Sequence, residues 1–148
     1  MVDTIHLPWG KDEISFALPN EWVLKGVLEP ASLPAVGDVA AETLRSLQEP
    51  YGTPRLMEMA RPEMKIVLVV DDGSRPTPVA QILPGVLMEL ESAGIKREQI
   101  TLVAALGVHR PMETDELAER VGKTLLDGMQ WENPDCDNPE KLSFLSTT

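Results

Sequence analysis

The chain has 148 residues, 43% of them hydrophobic and 25% charged, with a formal net charge of −11. That suffices for one soluble domain with its own core. The acidic balance argues against a nucleic-acid partner and against an anionic membrane surface, since both require a basic face.

The single cysteine, Cys136, excludes an internal disulfide and suits a reducing compartment. Between Asp135 and Asp137 it reads as a bystander, because flanking carboxylates raise a thiol pKa. No run approaches the ~20 apolar residues of a membrane span. The opening MVDTIHLPWGKDE lacks the apolar centre of a signal peptide. The cytoplasm is the expected location.

From Thr4 to Leu18, apolar and polar residues alternate around Gly10-Lys11-Asp12, which predicts a β-hairpin with His6 on its surface. Trp22 to Leu28 predicts a further short strand, and EPASLPAVGD after it a connection. Asp38 is the expected N-cap of a helix, VAAETLRSLQ. EPYGTP breaks that helix, and Arg55 to Ala60 predicts a short helix ended by Arg61-Pro62.

Lys65 to Val70 is a continuous apolar run, the pattern of a parallel strand covered on both faces. Thr77 as N-cap and Pro78 at the first helical position predict a helix to about Ala93, stopped by Gly94. Its apolar positions recur every three or four residues, with Pro84 inside the pattern. Ile100 to Leu106 predicts a second buried strand. A helix follows from Thr114 to Val121, with Asp115 and Glu116 near its positive end and Gly122 after it. Met129 to Glu132 and Lys141 to Leu145 predict two short strands around ENPDCDNPE.

This order is α/β. It predicts a Rossmann-like, mostly parallel sheet with helices on its faces, preceded by an N-terminal β-hairpin. A right-handed crossover makes the two apolar strands parallel. Their exit loops, DDGSRPTP and GVHRP, then share the carboxyl edge, where open α/β sheets bind ligands.

Those loops carry the reactive side chains. Arg75, stiffened by Pro76 and Pro78, offers a planar fork suited to a carboxylate or phosphate. The helix beginning at Pro78 adds partial positive charge nearby. His109 titrates near neutral pH and can move a proton. Plainer readings stand beside these: Asp72 and Arg75 as a loop salt bridge, and His109 as an ordinary strand-end histidine. Met57, Met59, Met64 and Met88 read as core filler. No spacing matches a metal site, a P-loop or a dinucleotide fingerprint.

LPWGKDEISFALP, EPYGTPRLMEMA, DDGSRPTP and GVHRP together resemble the N-terminal part of the nickel-dependent lactate racemase family, along nearly the whole chain. That family usually has Tyr where Trp9 stands, and many members have Asn-His-Asp where this chain has Asn133-Pro134-Asp135. The resemblance makes residues 1–148 the N-terminal, catalytic-half domain, with the C-terminal domain outside the chain. It implies an isomerase that interconverts enantiomers or epimers of a 2-hydroxy acid by hydride transfer to a nickel-pincer nucleotide. By position, it implies His109 as one of two acid/base histidines and Arg75 as the substrate-carboxylate ligand. Asp72, Ser74 and Thr77 fall beside the cofactor. The tethering lysine, the nickel-ligating histidine and the second catalytic histidine would lie beyond Thr148. The chain is then expected to be inactive alone, as a shortened version of a longer protein, a gene fragment or one half of a split enzyme. Its partners would be a small 2-hydroxy acid and the missing C-terminal domain or a complementary chain. Two other readings compete: a non-catalytic module that binds carboxylate or phosphate, and an unrelated α/β interaction domain.

Overall fold

A computed structural model describes residues 4–10 and 12–144. The chain divides into two compact units, Met1–Ala35 and Val36–Thr148. In the first, β1 (Thr4–Trp9) pairs antiparallel with β2 (Asp12–Ala17), so the expected hairpin is present. The register sets Leu7 against Ile14 and Ile5 against Phe16 on one side. On the other, His6 Nδ1 bonds Ser15 Oγ at 2.8 Å and Glu13 Oε1 at 2.9 Å. Trp22 to Leu28 is not a strand; Trp22, Val23, Val27 and Leu28 are exposed. Extended chain becomes a strand only beside a ladder partner, and this stretch has none among the described residues.

The second unit is built on a three-stranded sheet of order β3-β4-β5, comprising Ile66–Asp71, Ile100–Ala105 and Gln130–Glu132. Both pairings are parallel, with Ile66 opposite Ile100 and Leu102 opposite Trp131. The α/β class, parallel sheet and leading hairpin are as expected. Four helices accompany them: α1 (Val39–Gln48), α2 (Leu56–Met59), α3 (Val79–Ser92) and α4 (Thr114–Val121).

Alternation along parallel strands turns Ile66, Leu68, Val70, Ile100, Leu102 and Ala104 to one face. There they form one core with Leu83, Leu87 and Leu90 of α3 and Leu117 and Val121 of α4. Among the described residues of this unit the opposite face is bare, which corrects the expectation of a strand covered on both sides. Val67 is 61% exposed and Val69 67%. The α3 and α4 side chains pack on one layer, and no described element of this unit packs on the other.

Local signals explain most element ends. Asp38 Oδ1 accepts from the Ala41 backbone N–H at 2.9 Å, capping α1 as predicted. Helix α3 stops in a Schellman motif: Gly94 N–H donates to the Glu91 carbonyl and Ile95 N–H to the Leu90 carbonyl, both at 3.0 Å. Gly94 has φ +86°, a backbone angle that a side chain resists. The N-cap of α3 is Pro78 and not Thr77; the Thr77 hydroxyl donates to the Asp71 carboxylate. Lys141 to Leu145 does not form a strand over its described part. Pro139–Lys141 is a 3-10 turn capped by Asn138, while Leu145 lies outside the described residues. Of the methionines read as core filler, Met64 packs on the core but Met59 and Met88 are exposed.

Candidate active site at the carboxyl edge

Two tight turns bring the reactive residues together. β3 ends at Asp71, and a turn follows in which Arg75 N–H donates to the Asp72 carbonyl at 3.3 Å. β4 ends at Ala105, and His109 N–H closes the next turn on the Leu106 carbonyl at 2.9 Å. Gly107, at φ +59°, provides the left-handed step that this second turn needs. Since Asp71 stands opposite Ala105 in the register, Asp72 opens one turn beside the start of the other.

The result is a direct contact between the Asp72 carboxylate and His109 Nδ1. The other oxygen of Asp72 accepts from Ser74 twice, from its hydroxyl at 2.5 Å and its backbone N–H at 3.0 Å. These bonds, Ser74 first and His109 second, hold the Asp72 pKa down at about 2 despite its burial. An ionised carboxylate only accepts hydrogen bonds, so the neutral His109 ring must carry its proton on Nδ1. Nε2 is left with its lone pair, and no hydrogen bond to it occurs among the described residues. Acid, imidazole and an unprotonated ring nitrogen in a cleft form a minimal general-base unit.

The cleft has a volume of about 680 Å³. Asp72, Ser74, Thr77 and His109 line it, together with the start of α3 and one side of α4. Arg75 does not line it. It is exposed and forms no ion pair among the described residues. The salt bridge between Asp72 and Arg75 is therefore not formed. His109 is paired with the buried carboxylate of Asp72.

Arg120, which sequence reasoning passed over, completes the walls with Arg110 and Glu116. Arg120 of α4 contacts the Asp71 carboxylate through Nη2 and donates from Nε to the Asp71 carbonyl at 3.3 Å. Thr77 donates its hydroxyl to the same carboxylate at 2.5 Å. Burial raises the Asp71 pKa, but the Thr77 and Arg120 bonds outweigh it and the net shift is downward. Arg110 and Glu116 form a two-pronged pair at 2.6 and 2.8 Å, which lowers the Glu116 pKa to about 2. The available signal for Arg120 was its place on α4 between the core-facing Leu117 and Val121, where a cation must either leave the apolar side or find a partner. Among the described residues, no three His, Cys, Asp or Glu side chains gather as a metal site. Cys136 is free and exposed.

An open parallel sheet with an acid–histidine pair and a cleft on its carboxyl edge defines an α/β protein with a candidate ligand site at the strand ends. Residues 9–148 match the model of the lactate racemase N-terminal domain. The chain is 29% identical to a lactate racemase of Thermoanaerobacterium thermosaccharolyticum, over 97% of its own length and 34% of that protein. It is 30% identical to one of Lactiplantibacillus plantarum, over 82% of its length and 29% of that protein. The solved apoprotein of the Thermoanaerobacterium enzyme superposes with a TM-score of 0.68 at 28% identity, covering 93% of this chain and 31% of that one. A Thermotoga maritima protein of solved structure shares the fold, with TM-score 0.55 and 20% identity over 68% of this chain and 22% of its own. The chain belongs to the lactate racemase N-terminal domain family. It spans about a third of the length of the curated relatives it matches.

Proposed function

We propose that this chain supplies one side of the active site of a 2-hydroxy-acid racemase or epimerase. The observation that carries this is the Asp72–His109 pair in the carboxyl-edge cleft of a lactate racemase N-terminal domain. His109 Nε2 takes the proton from the substrate hydroxyl as the α-carbon gives up its hydride, leaving a keto acid. It returns the proton when the hydride comes back. Asp72 holds the ring in the tautomer that leaves Nε2 basic and stabilises the imidazolium. Arg75 lies outside the cleft lining but in the same turn as Asp72, exposed and without an ion-pair partner among the described residues, and in this reading its guanidinium reaches the substrate carboxylate from that turn.

The residues described here do not make a nickel centre. The hydroxyls of Ser74 and Thr77 already donate to Asp72 and Asp71, so towards a cofactor they offer only lone pairs. In this reading, a nickel-pincer nucleotide would supply the hydride-accepting chemistry, with its metal ligands and tether coming from residues outside 1–148. The two thirds of the relatives' length not matched here would supply them, in the same polypeptide or a complementary chain. A cytoplasmic location fits the single free thiol. Among the described residues, no helix is long and apolar enough to cross a membrane.

The test is a titration of this chain with D- and L-lactate, followed through the His109 ring signals and by calorimetry. Binding that perturbs His109 and is lost in Arg75→Ala is expected. Equal heats from parent and variant would remove Arg75 from the carboxylate site. An unperturbed His109 at saturating lactate would sink the reading. Nickel and cofactor added to this chain alone should leave its mass unchanged.

A further inference from the structure

Helix α4 carries two anchors one turn apart, Glu116 and Arg120, and both line the cleft. Residues at this spacing share a helix face. Glu116 holds Arg110, the residue after His109, by two bonds, and also accepts from the Glu113 backbone N–H at 2.8 Å. Arg120 holds Asp71, the residue before Asp72, through both its carboxylate and its carbonyl. The Arg120 side chain is only 13% exposed, so it is not a loose surface cation. Each member of the acid–histidine pair is thus flanked by a residue fastened to the same rigid element. Thr77 adds a third tie to the Asp71 carboxylate from the start of α3.

We infer that α4 is a bracket that sets the geometry of the Asp72–His109 pair. Glu116 and Arg120 are its positioning residues, acting through Arg110 and Asp71. Neither touches the pair, and their part is to stop the two exit loops from drifting apart. Short, charge-assisted contacts depend steeply on distance and angle, so a drift of the loops weakens the bond between the carboxylate and the ring. The inference rests on the proposed role of that pair in proton transfer.

The readout is the tautomer of His109. The chain has only two histidines, His6 and His109, so the ring nitrogens can be assigned by ¹⁵N NMR. At a pH where the imidazoles are neutral, the parent chain should hold the His109 proton on Nδ1. Asp72→Asn should change the Nδ1-H to Nε2-H ratio by about tenfold or more, the scale of one lost charge-assisted bond. Arg120→Met and Glu116→Gln should each lower the ratio by about threefold or more, as expected of coupled neighbours. Arg120→Lys should recover part of the loss. A purely structural role would lower the unfolding midpoint and leave the ratio alone. The parent ratio in both α4 variants would overturn the inference. Should Arg120→Met fail to fold, Glu116→Gln decides by itself, because Glu116 lies on the surface. If Asp72→Asn leaves the ratio unchanged, the proton-transfer reading fails. If it shifts the ratio while the α4 variants do not, only the bracket is lost.

Discussion

The two faces of the central sheet come from the same apolar run, IVLVV, and meet opposite fates. Ile66, Leu68 and Val70 pack on the core under α3 and α4, while Val67 and Val69 between them stand in the open. Apolar composition alone cannot separate them, because every residue of the run is a strand former. What separates them is whether a helix packs on that side. A run without alternation is the pattern of a two-sided layer, and among the described residues only one side is covered.

That contrast can be broken most sharply by truncation. Leu102→Ala on the covered face should destabilise the chain by about 2–5 kcal/mol, because it leaves a cavity in a filled core. Val69→Ala on the bare face should change stability by no more than about 0.5 kcal/mol. Urea unfolding midpoints of the two variants check the pair, and equal losses would show that the open face is covered in solution. The covered face also depends on α3 stopping where it does. Gly94→Ala should cost about 1–2 kcal/mol, since a side chain at φ +86° is strained and its Cβ would lie 3.0 Å from Pro62 Cγ.

Acid sharpens the contrast at the sheet edge. The folded pKa of Asp72 is about 2, below its ordinary value of 3.8. A lowered carboxylate contributes stability that is present above its unfolded pKa and lost as the pH falls through its folded one. The parent chain should therefore lose more stability between about pH 4 and pH 2 than Asp72→Asn does. Parallel acid titration curves for the two proteins would contradict the buried pair. The smallest effect is expected of Val67→Thr, within about 0.5 kcal/mol by thermal melting, because the added hydroxyl meets water there.

Much of the fold was legible because its signals are local. Asp38 caps α1, Gly94 follows the C-cap of α3, and Gly122 is the C-cap of α4. The alternation of Thr4 to Ala17 around Gly10 became the hairpin. The errors arose where a local signal met a tertiary competitor. Thr77 has the right chemistry for an N-cap, but the helix starts one residue later at Pro78 and the Thr77 hydroxyl donates to Asp71. Trp22 to Leu28 has strand-forming residues but no neighbour to pair with. At the site, Asp72, Ser74, Thr77 and His109 were singled out from their loops and do line one cleft. The contacts across 37 residues, from Asp72 to His109, and across 49, from Asp71 to Arg120, left no mark in the order of letters.

Taken by itself, the sequence determined most element types, most of their ends, and which two loops carry charge at the strand exits. Those properties depend on residues a few positions apart, where periodicity, caps and glycine angles act directly. Only the tertiary structure decided that Asp72 pairs with His109 and not with Arg75, that Arg120 clamps Asp71, and that one face of the sheet is bare among the described residues of its unit. These outcomes turn on which of several nearby polar groups reaches a carboxylate first. That is a matter of distances set by strand register and helix packing.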